Sequence, residues 1–310
     1  MKRVVFILEC WHRVVWACRV AIGTLFFAGL ASVVLSCSSV RHAEAEQAGE
    51  WEMLQRDSCP ALFTIEKEAD FIATDALLNC YLALPSGELL RYDSTGALQA
   101  RYGNFDRGAL SDVDVSNPLR PLLFYRDFSE WVVLDPQFAE LGVLSLRDEG
   151  LPDCTAVCRA RDNQLWAFEA SEGILYKISE RGEKLLESDP LRLWLPKSSE
   201  WFFSSMRESE HYILLWAPEQ GFVVFDAFAR FLRFIPLEGV QAWQMLDADV
   251  FLLLMGEDKP VFFFPETAEI RPLSLPCSPF PMRQFEWQGS RYYLRSDARV
   301  GAYVFPLREP

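Results

Sequence analysis

The chain has 310 residues, of which half are hydrophobic and 24% are charged, so wholesale disorder is excluded and a globular protein is expected. Its 30 basic residues against 44 acidic ones give a formal net charge of −14 at pH 7. Nucleic acid and anionic lipid are bound through basic surfaces, so this acidic excess argues against either as the main partner.

The N-terminal segment has the composition of an export signal. Residues 1–19 carry four basic side chains against a single acidic one, Glu9, and an uncharged apolar run from 20 to 34 follows. That order is typical of the basic and apolar regions of a signal peptide, and the run is short for a bilayer span. We therefore predict a signal peptide over residues 1–36.

The apolar run ends in Val34-Leu35-Ser36-Cys37. This tetrapeptide resembles the lipobox of bacterial lipoproteins, in which cleavage before the cysteine is coupled to its acylation. The resemblance implies that Cys37 carries lipid such as palmitate, and that the lipid holds the protein on a membrane without a spanning helix. By the same resemblance, Ser38 after the cysteine is compatible with delivery to the outer membrane, on its periplasmic or its outer side. The alternatives are an uncleaved signal anchor and an ordinary signal peptide cut nearby.

Residues 37–60 are predicted to be the lipid-anchored cysteine and a tether. Positions 38–50 are small and polar apart from one valine. Thirteen extended residues span roughly 45 Å, which is enough to hold a domain clear of the membrane surface.

From residue 70 onward, short apolar and β-branched runs alternate with Gly, Pro, Asp and Ser, as in an all-β protein. An apolar strand followed by a turn residue recurs six times, at intervals of 39 to 47 residues, with its turn residues at Asp93, Asp135, Ser179, Asp226, Pro265 and Pro306. Each unit has room for four short strands, and the first run of each is predicted at 71–74, 112–115, 155–159, 201–204, 242–246 and 284–287. This period indicates a six-bladed β-propeller over residues 61–310.

The sixth unit is one strand short, since its third run lies close to the last residue. The spare strand-like segment at 61–66 is therefore predicted to form the outermost strand of blade six. Such a strand closes the ring and covers exposed sheet edges.

Blade one carries a more particular pattern: Ala73-Thr74-Asp75, then Asn79-Cys80-Tyr81, then a Tyr-Asp-x-x-Gly turn that ends at Gly96. It resembles the blades of NHL-type and related six-bladed propellers of bacterial envelope lipoproteins. Later blades keep the apolar rhythm and lose most of the motif. The resemblance therefore implies the fold and transfers no functional residue. Members of this group are mostly binding or scaffold modules, and a few are enzymes.

Once Cys37 is lipidated, an odd set of cysteines remains: Cys59, Cys80, Cys154, Cys158 and Cys277. Cys154 and Cys158 lie about 13 Å apart in a regular strand, too far for a disulfide, and are predicted to be buried as small hydrophobes. A disulfide between Cys59 and Cys277 is left open.

The sequence contains no Gly-x-Ser-x-Gly, His-Glu-x-x-His or glycine-rich phosphate loop. Only His42 and His211 follow the signal segment, and neither lies near the paired cysteines in sequence. We therefore predict no catalytic residue, no metal site and no cofactor.

Polar residues on the inner strands surround the predicted channel, and form the candidate ligand site: Asp75, Asp112, Asp114, Arg159, Arg161, Arg207, Gln244, Asp247 and Glu286. Asp112 and Asp114 are two apart on a strand, so their side chains point to the same side. Either these charges neutralise one another around a water-filled channel, or they bind a ligand or Ca²⁺.

Trp194 lies in the long connection between blades three and four, and Phe280 and Met282 lie between blades five and six. Together they are a candidate exposed patch for a partner, with ordinary loop packing as the alternative.

Two functions follow. The first is a lipid-anchored scaffold without catalytic activity that binds a protein partner in an envelope assembly or secretion complex, for which propeller lipoproteins of outer-membrane protein assembly offer a precedent by resemblance. The alternative is a propeller that binds glycans or peptides, or a hydrolase or lyase that uses channel carboxylates.

Overall fold

The computed structural model describes residues 60–196, 201–247, 249–256, 258–275 and 278–305. These ranges belong to one unit, Leu54–Pro310, and contain 24 strands arranged as six four-stranded antiparallel sheets. The predicted signal peptide, Cys37, the predicted tether up to residue 59, and Cys277 lie outside the described residues. No helix within the described ranges is long and apolar enough to cross a membrane.

The first three blades follow chain order from the channel outwards. Their strands are β2 (Phe71–Thr74), β3 (Cys80–Ala83), β4 (Glu88–Tyr92) and β5 (Leu98–Gly103); β6 (Asp112–Asp114), β7 (Leu122–Tyr125), β8 (Glu130–Leu134) and β9 (Glu140–Ser145); and β10 (Cys154–Arg159), β11 (Leu165–Glu169), β12 (Ile174–Ile178) and β13 (Lys184–Glu187).

Blades four and five repeat this order, and blade six takes its fourth strand from the start of the described chain. Their strands are β14 (Ser205–Glu208), β15 (Tyr212–Ala217), β16 (Gly221–Asp226) and β17 (Phe231–Pro236); β18 (Val240–Asp247), β19 (Val250–Met255), β20 (Lys259–Phe264) and β21 (Glu269–Pro272); and β22 (Gln284–Gln288), β23 (Arg291–Arg295), β24 (Val300–Val304) and β1 (Phe63–Ile65). Three short 3₁₀ turns lie in the connections, at Phe105–Arg107, Arg126–Phe128 and Leu191–Leu193.

The core consists of the layers between neighbouring blades. On β3 all four residues are buried, and alternate side chains enter different layers. Tyr81 packs with Val113 and Leu123 of blade two, while Leu82 packs with Tyr293 of blade six. Both faces of a blade are covered in this way, so its middle strands are apolar at consecutive positions.

The ring closes as predicted for segment 61–66. Strand β1 pairs antiparallel with β24, with Phe63 opposite Ala302 and Ile65 opposite Val300, as the outermost strand of blade six. The closing strand also touches blade one. A Cβ atom at Gly96, where φ is +84°, would lie 2.6 Å from Cγ of Phe63, so the turn needs glycine for both its conformation and its space.

Five of the six predicted inner strands overlap observed ones, and the prediction at 201–204 was wrong. The inner strand of blade four is the more polar β14 (Ser205–Glu208). The aromatic run before it packs as a connection: Trp201 stacks on Phe203 at 5.8 Å, and Phe203 is buried between blades three and four.

Cys80, Cys154 and Cys158 are buried and free of disulfides, which confirms the prediction for Cys154 and Cys158. Burial raises the pKa of each thiol well above its ordinary value, so these cysteines remain neutral packing groups.

Candidate functional site: the propeller channel and its start face

The inner strands of the blades contact one another around the axis. We call the end of the disc at which these strands begin the start face, and the opposite end the end face. Because the sheets are antiparallel, the connections between blades and the loops between second and third strands lie on the start face. A cavity of about 440 Å³ follows the inner strands to the start face, and a second of about 410 Å³ lies near the end face.

All nine predicted channel residues line one or both of these cavities. The larger cavity is lined by Asp75, Asp112, Asp114, Arg207, Gln244 and Glu286. The end-face cavity is lined by Arg159, Arg161 and Asp247 and shares Asp114 and Arg207 with the larger one. The sequence pattern therefore selected side chains that lie together, although their contacts differ.

Arg207 on β14 forms a bidentate ion pair with Asp112 on β6. Its Nη1 and Nη2 atoms donate to the two Asp112 carboxylate oxygens at 2.8 and 2.9 Å. Burial alone would lower the pKa of Arg207, but the charge of Asp112 and these hydrogen bonds raise it. The donors of Arg207 and the acceptors of Asp112 are therefore occupied by each other.

Asp75 shapes the turn between β2 and β3. One oxygen accepts from the backbone N–H groups of Leu77 and Asn79, and the other accepts from the Asn79 amide and the Tyr81 hydroxyl at 2.8 Å each. Four donors converge on this buried carboxylate, so it acts as a structural group of blade one.

Asp114 links blade two to blade three. Its oxygens accept from the backbone N–H of Ser116 at 2.9 Å and from that of Arg159 at 2.9 Å. Burial by itself would raise the pKa of Asp114, but the nearby charge of Arg207 and these donors hold the pKa below its usual value.

Two glutamines join neighbouring inner strands in the same manner. The Gln244 amide accepts from Trp287 N–H at 2.7 Å and donates to the Trp287 carbonyl at 3.1 Å. The Gln284 amide does the same with Ile72, at 2.8 and 2.7 Å, and so joins blade six to blade one. Gln284 was not among the residues predicted from sequence. The signal that could have identified it is the presence of a glutamine on the inner strand of both blade five and blade six.

Glu286 is a further buried titratable group of the channel. Its carboxyl group accepts from the Gln284 amide at 3.0 Å and from the Thr74 hydroxyl at 3.4 Å. Burial raises the pKa of Glu286 to about 8, against the opposing effects of these hydrogen bonds and of Arg207. The group is therefore mostly protonated at neutral pH.

The arginines at the end face have partners of different kinds. Arg161 pairs with Glu210 at 3.2 Å, and its backbone N–H donates to Glu208 at 2.5 Å. Arg159 is buried and donates to the Arg120 carbonyl at 2.9 Å. Within the described ranges, no three or more His, Cys, Asp or Glu side chains are grouped as metal ligands would be.

Sequence analysis also missed Arg126 and the aromatic side chains near it on the start face. Arg126 lines the larger cavity, and its guanidinium lies 5.0 Å from the centre of the Phe202 ring. Phe128 belongs to the same 3₁₀ turn, and a Cβ atom at Gly108 would lie 3.5 Å from its ring. Phe105, Phe128 and Phe202 are 72%, 47% and 51% exposed, and we call them the start-face aromatic set.

The predicted patch of Trp194, Phe280 and Met282 is only partly exposed. Trp194 is 52% exposed and stacks on Phe231 at 5.3 Å. Phe280 and Met282 are instead buried in the layer between blades five and six, so their assignment to an exposed surface was wrong. Their connection turns inward because it covers the apolar side of the last two blades.

Comparison with solved structures agrees with the fold. The chain is similar to the Cps50 (Swd1) β-propeller domain of Myceliophteria thermophila, with TM-score 0.54 and 9% identity over 78% of this chain and 99% of that one. It is also similar to a streptogramin B lyase, with TM-score 0.51 and 11% identity over 80% and 88%. BamB from Moraxella catarrhalis aligns with TM-score 0.48 and 13% identity over 77% and 83%.

At these identities the likeness shows the β-propeller fold and nothing finer. No protein-family model matches the chain, and no curated protein matches it in sequence.

Proposed function

We propose that the protein is a lipid-anchored β-propeller that binds a protein partner in a bacterial envelope complex, as a scaffold for assembly or secretion. The observation that carries the proposal is the start-face aromatic set. Three phenylalanines project from loops on one face of a rigid ring, and exposed aromatic side chains are enriched where proteins bind other proteins.

The contacts of Arg126 give this surface a fixed shape. Its guanidinium donates to the carbonyls of Thr155 and Ser204 at 3.0 and 2.9 Å, so it joins the turn that carries Phe128 to blades three and four. Phe202 lies over the same guanidinium. A surface held in one conformation loses less entropy when a partner binds, which favours recognition.

The membrane location rests on the sequence of the N-terminus. Lipid on Cys37 would place the propeller at the outer membrane, and the tether would let the start face reach a partner. Metabolic labelling with a palmitate analogue tests this part alone: label should enter the full chain, disappear in Cys37→Ser and persist in the control Cys59→Ser. Equal labelling of Cys37→Ser would contradict lipidation at that residue.

Partner binding is tested by affinity purification from gently solubilised membranes, with quantitative mass spectrometry. A protein that is recovered in stoichiometric amount with the wild type should be lost with the double variant Phe105→Ser/Phe128→Ser. The matched control is Leu119→Ser/Phe228→Ser, which removes exposed apolar side chains from end-face loops. The proposal fails if no protein is recovered in stoichiometric amount, or if both double variants retain the partner equally.

The channel supports a second candidate, a ligand-directed propeller with glycan or peptide binding, or with hydrolase or lyase chemistry. The observation that favours it is the buried Glu286, whose raised pKa suits a general acid, on the same cavity as the carboxylate of Asp112. The double variant Asp112→Asn/Glu286→Gln should abolish glycan or peptide binding, or turnover, while the protein, although less stable, still folds. Unchanged binding or turnover would exclude these carboxylates.

A further inference from the structure

The larger cavity is lined by four arginines whose contacts divide them into two pairs. Arg207 is engaged by Asp112, and Arg283 forms a bidentate ion pair with Asp297 at 2.8 and 3.1 Å. Arg126 and Arg295 have no carboxylate within ion-pair distance among the residues that the structure describes. Two cations therefore face one cavity without a bonded counter-charge.

Main-chain carbonyls hold both of these side chains in place and leave donors unused. Arg126 donates from Nε to Thr155 and from Nη2 to Ser204, and its Nη1 has no acceptor in the described protein. Arg295 donates from Nη1 to the Ala69 carbonyl at 2.8 Å, while its buried Nε atom has no hydrogen-bond partner. An unpaired buried donor is costly, so an acceptor at this position would be stabilising.

The guanidinium groups of Arg126 and Arg295 line the cavity from opposite sides of the propeller. Arg126 reaches it from blade two towards blades three and four, and Arg295 reaches it between blades six and one. Burial lowers the pKa of both arginines. The charges of Asp112 and Asp127 at Arg126, and of Asp297 and Asp70 at Arg295, offset only part of the loss of hydration. A cavity of about 440 Å³ between them has the size of a small-molecule site.

We propose that the start-face end of the channel binds a small ligand with two or more anionic groups, carboxylate or phosphate, between Arg126 and Arg295. The planar guanidinium matches both kinds of group through paired N–H donors. The other acids that line the cavity are Asp70, whose charge acts on Arg295, the engaged carboxylates and Glu286. The ligand site adjoins the start-face aromatic set, because Phe202 lies over the Arg126 guanidinium, but ligand binding by the isolated protein requires no protein partner.

Isothermal titration of the full chain in detergent tests the proposal with two probes, citrate and pyrophosphate, at constant ionic strength. We expect saturable binding at one site for at least one probe, weakened at least tenfold in Arg126→Gln and in Arg295→Gln. The control Arg271→Gln removes an exposed arginine that pairs with Glu269, and should bind as the wild type does. Binding of citrate alone or of pyrophosphate alone identifies the anionic group.

A failure of both probes to bind the wild type, or undiminished binding in both variants, would overturn the proposal. If a variant does not fold, arginine modification by phenylglyoxal gives the same answer in the wild type. The binding probe should slow modification of Arg126 and Arg295 and leave that of Arg271 unchanged, as read by peptide mass spectrometry. Equal rates with and without the probe would contradict the site.

Discussion

Arg207 and Asp112 join blade four to blade two across the channel, although they are 95 residues apart and blade three lies between their blades. Their two parallel hydrogen bonds measure 2.8 and 2.9 Å, and the side chains are 28% and 13% exposed. Removal of either partner leaves a partly buried charge without its counter-ion, whereas a solvent-exposed pair has little net effect.

Arg207→Met should therefore lower the free energy of unfolding by about 2–3 kcal/mol, as measured by urea denaturation. Asp112→Asn should act similarly, and the double variant should lose less than the sum of the two single losses because the interaction is removed only once. Arg271→Met breaks an exposed ion pair with Glu269 and should have no measurable effect. Strict additivity of the two channel variants would contradict an energetic coupling.

Glu286 should make the protein less stable as pH rises. Its pKa is raised to about 8 in the folded protein from an ordinary value of 4.5, so the folded state binds the extra proton between these values. Stability from this group should be fully present below pH 4.5 and should be lost progressively as the pH rises to 8. The exposed Glu68→Gln should retain this slope, and Glu286→Gln should abolish it. Parallel pH profiles of melting temperature for wild type and Glu286→Gln would refute the assignment.

The closing strand should contribute to the stability of the whole ring. Ile65 is buried against blades six and one, whereas its neighbour Thr64 points to solvent. Ile65→Ala should cost about 2–4 kcal/mol in unfolding free energy, because it leaves a cavity beneath β1. Thr64→Ala on the same strand should change little. Hydrogen exchange should show faster opening of β24 in Ile65→Ala, and unaltered exchange there would argue against the closure.

Each glutamine that joins two inner strands should stabilise the folded protein more than a surface hydrogen bond does. Each of the variants Gln244→Ala and Gln284→Ala leaves a backbone N–H and a carbonyl of the next blade without hydrogen-bond partners. Each should therefore lower the free energy of unfolding by about 1–3 kcal/mol. Gln137→Ala, on an exposed turn, is the matched control. The free energy of unfolding is measured by chemical denaturation. A decrease no larger than that of Gln137→Ala would mean that water fully replaces the glutamine amide, and would contradict the prediction.

The fold could be predicted from the sequence because a propeller repeats one structural unit. The positions of its strands therefore follow the regular spacing of apolar runs along the chain. That argument placed β1 in blade six and brought the channel residues together. It failed at 201–204, where apolar composition indicated a strand and the packing of Trp201 and Phe203 produced a connection instead.

The side-chain contacts between blades could not be predicted from the spacing of the repeats. The sequence shows that inner strands recur, but not which residues of two strands lie at the same height along the channel. Gln284 forms a hydrogen bond with Ile72, which is 212 residues away in sequence. Arg126 forms one with Ser204, which is 78 residues away. Likewise, the burial of Phe280 and Met282 depends on the shape of the layer that they cover.

The central claim is that the start face binds a protein partner. It is tested most directly by a photo-activated cross-linker placed at Phe128 on the start face, with Phe228 on the end face as the reference position, in intact cells. The proposed function predicts one cross-linked protein of defined mass from Phe128 and none from Phe228. Cross-links from Phe228 alone, or none from either position, would contradict it.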